Sequence, residues 1–287
     1  MGKKEFFIDL DECTGCNLCM IACKDEHVGN SHMPYTKEQP DTGHFWMNVK
    51  GMERGQVPKV RVTYLPLLCQ HCDNAPCMKA CPENAIIKGE NGLVIIDQEK
   101  CTGCGLCQEA CPYDVIYMNE DLNVAQKCTG CAHLVEKGET PRCADICPRD
   151  AIYFGEEDDP KMIRLKAKAE ALHPEFGAKP KVYYKGLPKP FISGILVDQD
   201  EEEIVQGASI KAQDLFNDQE YSATSDEFGD FWFRNLEIGH KYLLTVEASG
   251  YGKLTKVVTA DKDRNIGELS LKRKGNNLEI QSKSVVP

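Results

Sequence analysis

No stretch of this chain stays apolar for the roughly 20 residues that a membrane-spanning helix needs, so a helical span is not expected. The start, MGKKEFFIDLDEC, has no signal-peptide hydrophobic region. The expectation is a cytoplasmic chain, with export in company of a signal-bearing partner as the alternative. Basic charge is also short: 34 Lys and Arg stand against 45 Asp and Glu, for a formal net charge of −11. That balance argues against nucleic acid as a partner. No Ser/His/Asp order and no Walker loop is present, so the expected catalytic residues are none. Gly103 and Gly105 fall inside a cysteine loop and make no nucleotide fingerprint. After Cys147 there is no cysteine at all, which confines thiol chemistry to the N-terminal part of the chain, about its first half.

Within that half lie all 16 cysteines, in four groups of four. The groups are Cys13, Cys16, Cys19 and Cys23; Cys69, Cys72, Cys77 and Cys81; Cys101, Cys104, Cys107 and Cys111; and Cys128, Cys131, Cys143 and Cys147. Pro82, Pro112 and Pro148 follow the last three closing cysteines. Three thiolates at short spacing and a fourth before proline form the ferredoxin run for a 4Fe-4S cluster. A cubane takes one soft, anionic ligand per iron, and a C-x2-C-x2-C loop wraps three corners with backbone amides turned to the sulfurs. Structural zinc pairs C-x2-C knuckles over longer gaps, and disulfide frameworks belong to small secreted domains. Four 4Fe-4S clusters are therefore expected, with the sixteen cysteines as ligands through iron. Each oxidised cubane with its thiolates adds about two negative charges. His71 and His133 lie beside ligand cysteines, but every quartet is complete without them, so both read as hydrogen-bonding neighbours of the loops.

The segment CPENAIIKGENGLVIIDQEKCTGCGLCQEACPYDVI reads as loop, helix, strand, loop and Cys-Pro helix, a complete two-cluster ferredoxin unit. In such units the fourth cysteine serves the other cluster. Cluster C is thus expected on Cys69, Cys72, Cys77 and Cys111, and cluster D on Cys101, Cys104, Cys107 and Cys81. The outer quartets are left to each other. Cluster A takes Cys13, Cys16, Cys19 and Cys147; cluster B takes Cys128, Cys131, Cys143 and Cys23.

The composition divides the chain into a four-cluster ferredoxin-like domain over 1–154 and a linker strap over 155–190. In the strap a helix starts at Asp159-Pro160 and runs from Lys161 to Leu172. Prolines and glycines then punctuate an extended passage around Val182-Tyr183-Tyr184. From Phe191 short alternating strands are expected near 192–197, 208–213, 220–224, 230–235, 241–248, 255–259 and 265–271. Phe231, Phe233, Leu243, Thr245 and Val257 are the alternating residues. Seven short strands predict a β-sandwich over 191–273, followed by a frayed tail over 274–287. The fold class is α+β: two ferredoxin-like modules, then an all-β sandwich. The acidic run Asp198 to Glu203 reads as a solvated loop. Trp46 and Tyr64 read as core residues rather than partner-facing ones.

The four quartets, the wide last one, and Lys127-Cys128-Thr129-Gly130-Cys131-Ala132-His133-Leu134 resemble the iron–sulfur subunits of the molybdopterin oxidoreductases. The likeness covers roughly residues 1–190, and its cysteine pattern is highly specific. It implies a pair of ferredoxin-like modules with the crossed ligands above. It also implies a line of clusters serving a large partner subunit that holds molybdopterin with molybdenum or tungsten. The C-terminal part is similar to transthyretin-like or carboxypeptidase-regulatory modules. Together with Gly43-His44-Phe45-Trp46-Met47-Asn48 and Lys179-Pro180-Lys181-Val182-Tyr183-Tyr184-Lys185, it is most similar to the transhydroxylase branch, which acts on phenols. That branch holds three clusters, whereas Cys101, Cys104 and Cys107 complete a fourth set here. Aromatic hydroxylases and dehydroxylases therefore stand beside transhydroxylases, and arsenate, polysulfide and sulfoxide partners are further alternatives. A free-standing polyferredoxin is the rival class. The nested first and fourth quartets, the insertion between Cys23 and Cys69 and the extra sandwich favour the subunit, because a simple carrier would repeat compact modules. A sandwich that binds carbohydrate or a surface rests on fold analogy alone.

Overall fold

A computed structural model describes residues 2–274. Two compact units are formed, one from Met1–Met52 with Val62–Leu187, the other from Glu53–Arg61 with Pro188 onward. In the first unit β1 (Lys4–Asp9) leads into α1 (Leu18–His27), and β2 (Asn48–Gln56) pairs with β3 (Lys59–Leu67). Then come α2 (Pro76–Ala80), β4 (Ile86–Lys88), β5 (Val94–Ile96), α3 (Leu106–Glu109), β6 (Tyr117–Asn119) and β7 (Val124–Gln126). The unit continues with α4 (Ala132–Val135), α5 (Arg142–Asp145), β8 (Ile152–Glu156), α6 (Pro160–Lys166), β9 (Glu170–Ala171) and β10 (Val182–Lys185).

Phe6, Phe7 and Ile8 are buried on both faces of β1 because that strand is internal. It pairs antiparallel with β8, Phe6 opposite Phe154, and parallel with β10, Phe6 opposite Val182. The head of the chain is thereby closed onto the segments that follow the fourth quartet. Glu5, fully buried on the same strand, accepts from the ammonium groups of Lys166 and Lys181, the second at 3.0 Å. A buried carboxylate needs such partners to be tolerated. The inner ferredoxin repeat is smaller: β4 pairs with β5 and β6 with β7, three residues each, while α2 packs on α3. In the outer repeat α1 packs on α5.

The passage 155–190 differs from its sequence reading. Asp159 does cap the helix, its carboxylate accepting from the Lys161 N–H at 2.8 Å. But α6 ends at Lys166, and Lys168 and Ala169 turn on the carbonyls of Leu165 and Lys166. The remainder of the expected helix is spent on β9, where Ala171 pairs with Tyr183 of β10. Helix propensity loses there to a sheet edge that needs covering.

The second unit has β11 (Ile192–Asp198), β12 (Ser209–Asp214), β13 (Glu220–Thr224), β14 (Asp230–Phe233), β15 (Lys241–Glu247), β16 (Leu254–Thr259) and β17 (Arg264–Leu271). They form two sheets, β14-β11-β17 and β13-β12-β15-β16, around one core. Along β12, Ile210, Ala212 and Asp214 point in while Ser209, Lys211 and Gln213 point out. On β15 the phase is opposite to expectation: Tyr242, Leu244 and Val246 are buried, whereas Leu243 and Thr245 lie on the outer face with Val257 across from Leu243. Apolar residues occupy both faces of that strand, so the period of two does not fix its phase from sequence. The acidic run also needs correction at its first residue. Asp198 is 1% exposed and accepts from the Tyr251 hydroxyl at 2.9 Å and Arg273 Nε at 2.5 Å; the rest of the run, Gln199 to Glu203, is exposed. Arg54, on the hairpin tip that belongs to this unit, donates to both carboxylate oxygens of Asp263 at 2.7 and 3.0 Å. Apart from Lys274, whose N–H reaches the Gly250 carbonyl, the tail expected over 274–287 lies outside the described residues.

Candidate cluster-binding sites

Four cavities in the first unit are each lined by four cysteines. One is lined by Cys13, Cys16, Cys19 and Cys147, and a second by Cys23, Cys128, Cys131 and Cys143. A third is lined by Cys69, Cys72, Cys77 and Cys111, and the last by Cys81, Cys101, Cys104 and Cys107. We label these cavities A, B, C and D. All sixteen thiols are free of disulfides.

Local sequence explains how the loops close. In the three Cys-Thr-Gly-Cys loops the glycine has positive φ: Gly15 at 69°, Gly103 at 71° and Gly130 at 66°. A Cβ on Gly15 would sit 2.4 Å from the Tyr64 ring, and one on Gly103 would sit 2.5 Å from the Asn123 carbonyl oxygen. Glycine is needed for the turn and for the close packing alike. After the closing cysteines, Asn84, Asp114 and Asp150 take the left-handed turn that sends the chain from helix to strand. That turn aims the Ala85 N–H at Cys81 Sγ and the Ala151 N–H at Cys147 Sγ, both at 3.3 Å. Ala125 and Gly130 donate likewise to Cys101 and Cys128 at 3.3 Å. Amides directed at sulfur stabilise thiolate charge.

The donor chemistry demands a cation. Burial first, then the crowding of neighbouring thiols, pushes Cys19, Cys72 and Cys77 up to about 12, and Cys107 to about 11. Cys23 and Cys143, fully enclosed, are raised well above the ordinary range by the same two causes. Four sulfurs cannot all ionise at one buried point without positive charge among them. Cavity B adds a second sign: Trp46 Nε1 and His27 Nδ1 line it, buried and without a partner among the described residues. A group bearing sulfide acceptors and cationic iron fits both observations.

The cavities also follow an order. Helix α1 holds Cys19 of cavity A and Cys23 of cavity B one turn apart, His71 of the C loop lies 3.9 Å from Cys128 of B, and α2 with Cys77 of C packs on α3 with Cys107 of D. The sequence A–B–C–D results. Cysteines of B and most of C are buried, whereas Cys16 of A and Cys104 of D are exposed, so the line is open at its ends and closed in the middle.

Of the residues weighed from sequence, Trp46 is 1% exposed and in the core, as expected, while Tyr64 is half-buried against Gly15. His133 hydrogen-bonds Glu26 at 2.9 Å and stacks on His32 with ring centroids 3.7 Å apart. Arg142 donates to the other Glu26 oxygen at 2.7 Å. Burial raises the Glu26 carboxyl, but these donors outweigh it and hold it below its ordinary range. Glu26, His32 and His133 have a ligand-like grouping, yet Arg142 already neutralises the carboxylate, and the knot reads as a clamp of α1 to α5. Glu26, His27 and Lys127 were not singled out from sequence. Lys127 adjoins Cys128, and only its burial distinguishes it from an ordinary flanking lysine.

Comparison with known proteins agrees with this site. Residues 60–157 match the 4Fe-4S dicluster domain, 10–30 the 4Fe-4S binding domain, and 192–272 the carboxypeptidase regulatory-like domain. The protein is 38% identical to the pyrogallol hydroxytransferase small subunit of Pelobacter acidigallici, over 94% of its own length and 100% of that relative. This protein belongs to the iron–sulfur subunits of the molybdopterin oxidoreductases. The matching subunit of tetrathionate reductase from Salmonella typhimurium is 35% identical over 66% of the present chain and 74% of its own length. The selenate reductase beta subunit of Thauera selenatis is 38% identical over 57% and 52%. The present subunit is therefore a 4Fe-4S electron-transfer protein, with ferredoxin modules followed by a carboxypeptidase-regulatory-like domain. Among the described residues no helix is long and apolar enough to cross a membrane.

Proposed function

We propose that this subunit carries electrons along cavities A–B–C–D to or from a large molybdopterin subunit that acts on a phenolic aromatic. The observation that carries the reading is the set of four cysteine-lined cavities in one order, open at both ends. Ligands would cross as the cavities group them: Cys147 with Cys13, Cys16 and Cys19; Cys23 with Cys128, Cys131 and Cys143; Cys111 with Cys69, Cys72 and Cys77; Cys81 with Cys101, Cys104 and Cys107. When bound, a cubane at each point supplies a one-electron carrier. The chain's own residues hold it by thiolate, direct amide hydrogens at its sulfurs and exclude water from the middle two cavities. Leu18 adjoins Asn17 and Cys19 of the cavity A lining, Ile146 adjoins its Cys147, and both are exposed along with Ile21 on α1, which supports docking of the large subunit at that end. The phenolic substrate is supported by full-length likeness to the pyrogallol hydroxytransferase small subunit. The C-terminal sandwich, transthyretin-like in this reading, holds no cofactor and supports assembly. Assembly of the clusters takes place in the cytoplasm.

Purification from the native cells tests the proposal. The expected result is co-elution with a much larger chain containing molybdenum or tungsten, and loss of that association in the Ile21→Asp variant with its iron retained. An iron-loaded subunit that elutes alone at all ionic strengths would leave the polyferredoxin reading standing.

A further inference from the structure

One of the four cysteine loops departs from its sisters. Where the others have Gly15, Gly103 and Gly130, the loop Cys69-Gln70-His71-Cys72 has His71, held at φ 43°. A residue with a Cβ is strained in that region, and such strain is retained where the side chain has a task. His71 is also 1% exposed. Its backbone N–H donates to Cys69 Sγ at 3.5 Å. The Val94 N–H donates to its Nδ1 at 3.0 Å, which places the ring proton on Nε2. Nε2 lies 3.9 Å from Cys128 Sγ. One residue thus touches sulfurs of two different cavities, C through its backbone and B through its ring.

Lys127 stands at the same junction. It is 2% exposed, lines cavity C, and precedes a ligand of cavity B. Its ammonium donates to the Val94 carbonyl and, at 3.1 Å, to the Cys128 carbonyl. An ammonium has three hydrogens, and no carboxylate among the described residues pairs with this one. A buried cation without a counter-ion is costly unless negative charge lies nearby. Two cubane sites, each about −2 with their thiolates, provide that charge.

We propose that His71 and Lys127 form a built bridge for electron passage between cavities B and C, with the unpaired lysine charge holding both sites at raised potential. The proposal rests on the ligand sets given above. One electron leaves the cluster in one cavity and arrives at the cluster in the other, and no bond is made or broken. The Nε2 proton stays on the imidazole, because Nδ1 is the ring nitrogen that accepts from the Val94 N–H. An electron on either side is stabilised by the ammonium between them, so the step from B to C stays level while the potentials of A and D are set elsewhere. His71 adds a hydrogen bond to sulfur on the B side through its ring; on the C side the bond is from backbone and survives substitution.

The test is an anaerobic redox titration of the cluster-loaded full chain followed by electron paramagnetic resonance. Cys23→Ser and Cys111→Ser serve as references that assign the signals of B and C. If those two references do not alter separate signals, the ligand sets fall, and the bridge with them. With the signals assigned, Lys127→Met should shift the reduction equilibria of B and C toward the oxidised form by about tenfold, or about 59 mV for one electron. A and D should move far less, and Lys127→Arg should stay near the parent. His71→Gly restores the residue of the sister loops and relieves the strained φ, which offsets part of the packing lost with the buried ring, and iron content shows whether all four sites load. The substitution should lower the midpoint of B, leave C nearly in place and slow electron exchange between the two. Unmoved B and C midpoints in Lys127→Met, or equal shifts at all four sites, would overturn the bridge. So would a His71→Gly protein with parental B midpoint, since a residue there for packing alone would leave it unchanged. Should Lys127→Met fail to load its clusters, the His71→Gly result decides.

Discussion

Serine in place of Cys23 is expected to damage the cluster of Cys128, Cys131 and Cys143 while sparing that of Cys13, Cys16 and Cys19. Nearness in sequence suggests the reverse. Cys23 lies four residues after Cys19 on α1, so the two thiols share one face of the helix. Helix α1 packs on α5, which supplies Cys143 to cavity B, while Cys147 just beyond α5 lines cavity A. Cys19 lines A, but Cys23 lines B, where Cys128 and then Cys131 are the thiols that raise it most. Serine offers a harder oxygen ligand at the same point. Iron analysis should show a loss of up to about four irons per chain, and the titration should lose or alter one signal. Loss of the signal that Cys13→Ser also removes would contradict the crossing.

Stripping iron with a chelator and an oxidant is expected to unfold the first unit and leave the second standing. In the first unit, Cys19, Cys23, Cys69, Cys72, Cys77, Cys107, Cys128 and Cys143 are members of the main core itself. The strands around them are slight: β4, β5, β6 and β7 have three residues each and stand as two-stranded pairs. Such hairpins are marginal in water without a packed face. Metal binding here is folding free energy, as in other small metal-dependent modules. The second unit keeps its own core of Ile210, Tyr242, Leu244, Phe231 and their neighbours, with no thiol in it. Hydrogen exchange should show amides of Val94–Ile96 and Val124–Gln126 losing protection after iron removal, while those of β12 and β15 hold theirs. Equal loss of protection in both units, or none in the first, would show that the core does not depend on the clusters.

Much of this was legible because cysteine spacing is a constraint of iron geometry, not of packing. Cys81 and Cys111 could be assigned across their repeat because the intervening chain forms a recognisable two-cluster unit, and the cavities group them in that way. Short strands bounded by turns were likewise readable in the second unit, down to Glu220–Thr224. What sequence did not reveal was decided by tertiary competition. The α6 helix stops early because a sheet edge takes Glu170–Ala171. The phase of β15 is set by the facing sheet, since Leu243 and Leu244 are equally apolar. Asp198 is buried because Tyr251 and Arg273, far along the chain, converge on it. At the site itself, His71 stood out only as a neighbour of cysteine. Its place in the left-handed position of a loop whose sisters have glycine acquires meaning once Cys128 is seen across the ring.

The most direct measurement is metal and sulfide content of the anaerobically purified protein. Sixteen cysteines in four complete sets predict about sixteen irons and about sixteen acid-labile sulfides per chain, with no stoichiometric zinc. A reproducible zinc atom with iron near twelve would mean that one cavity is a structural site, and the line A–B–C–D would be broken at that point.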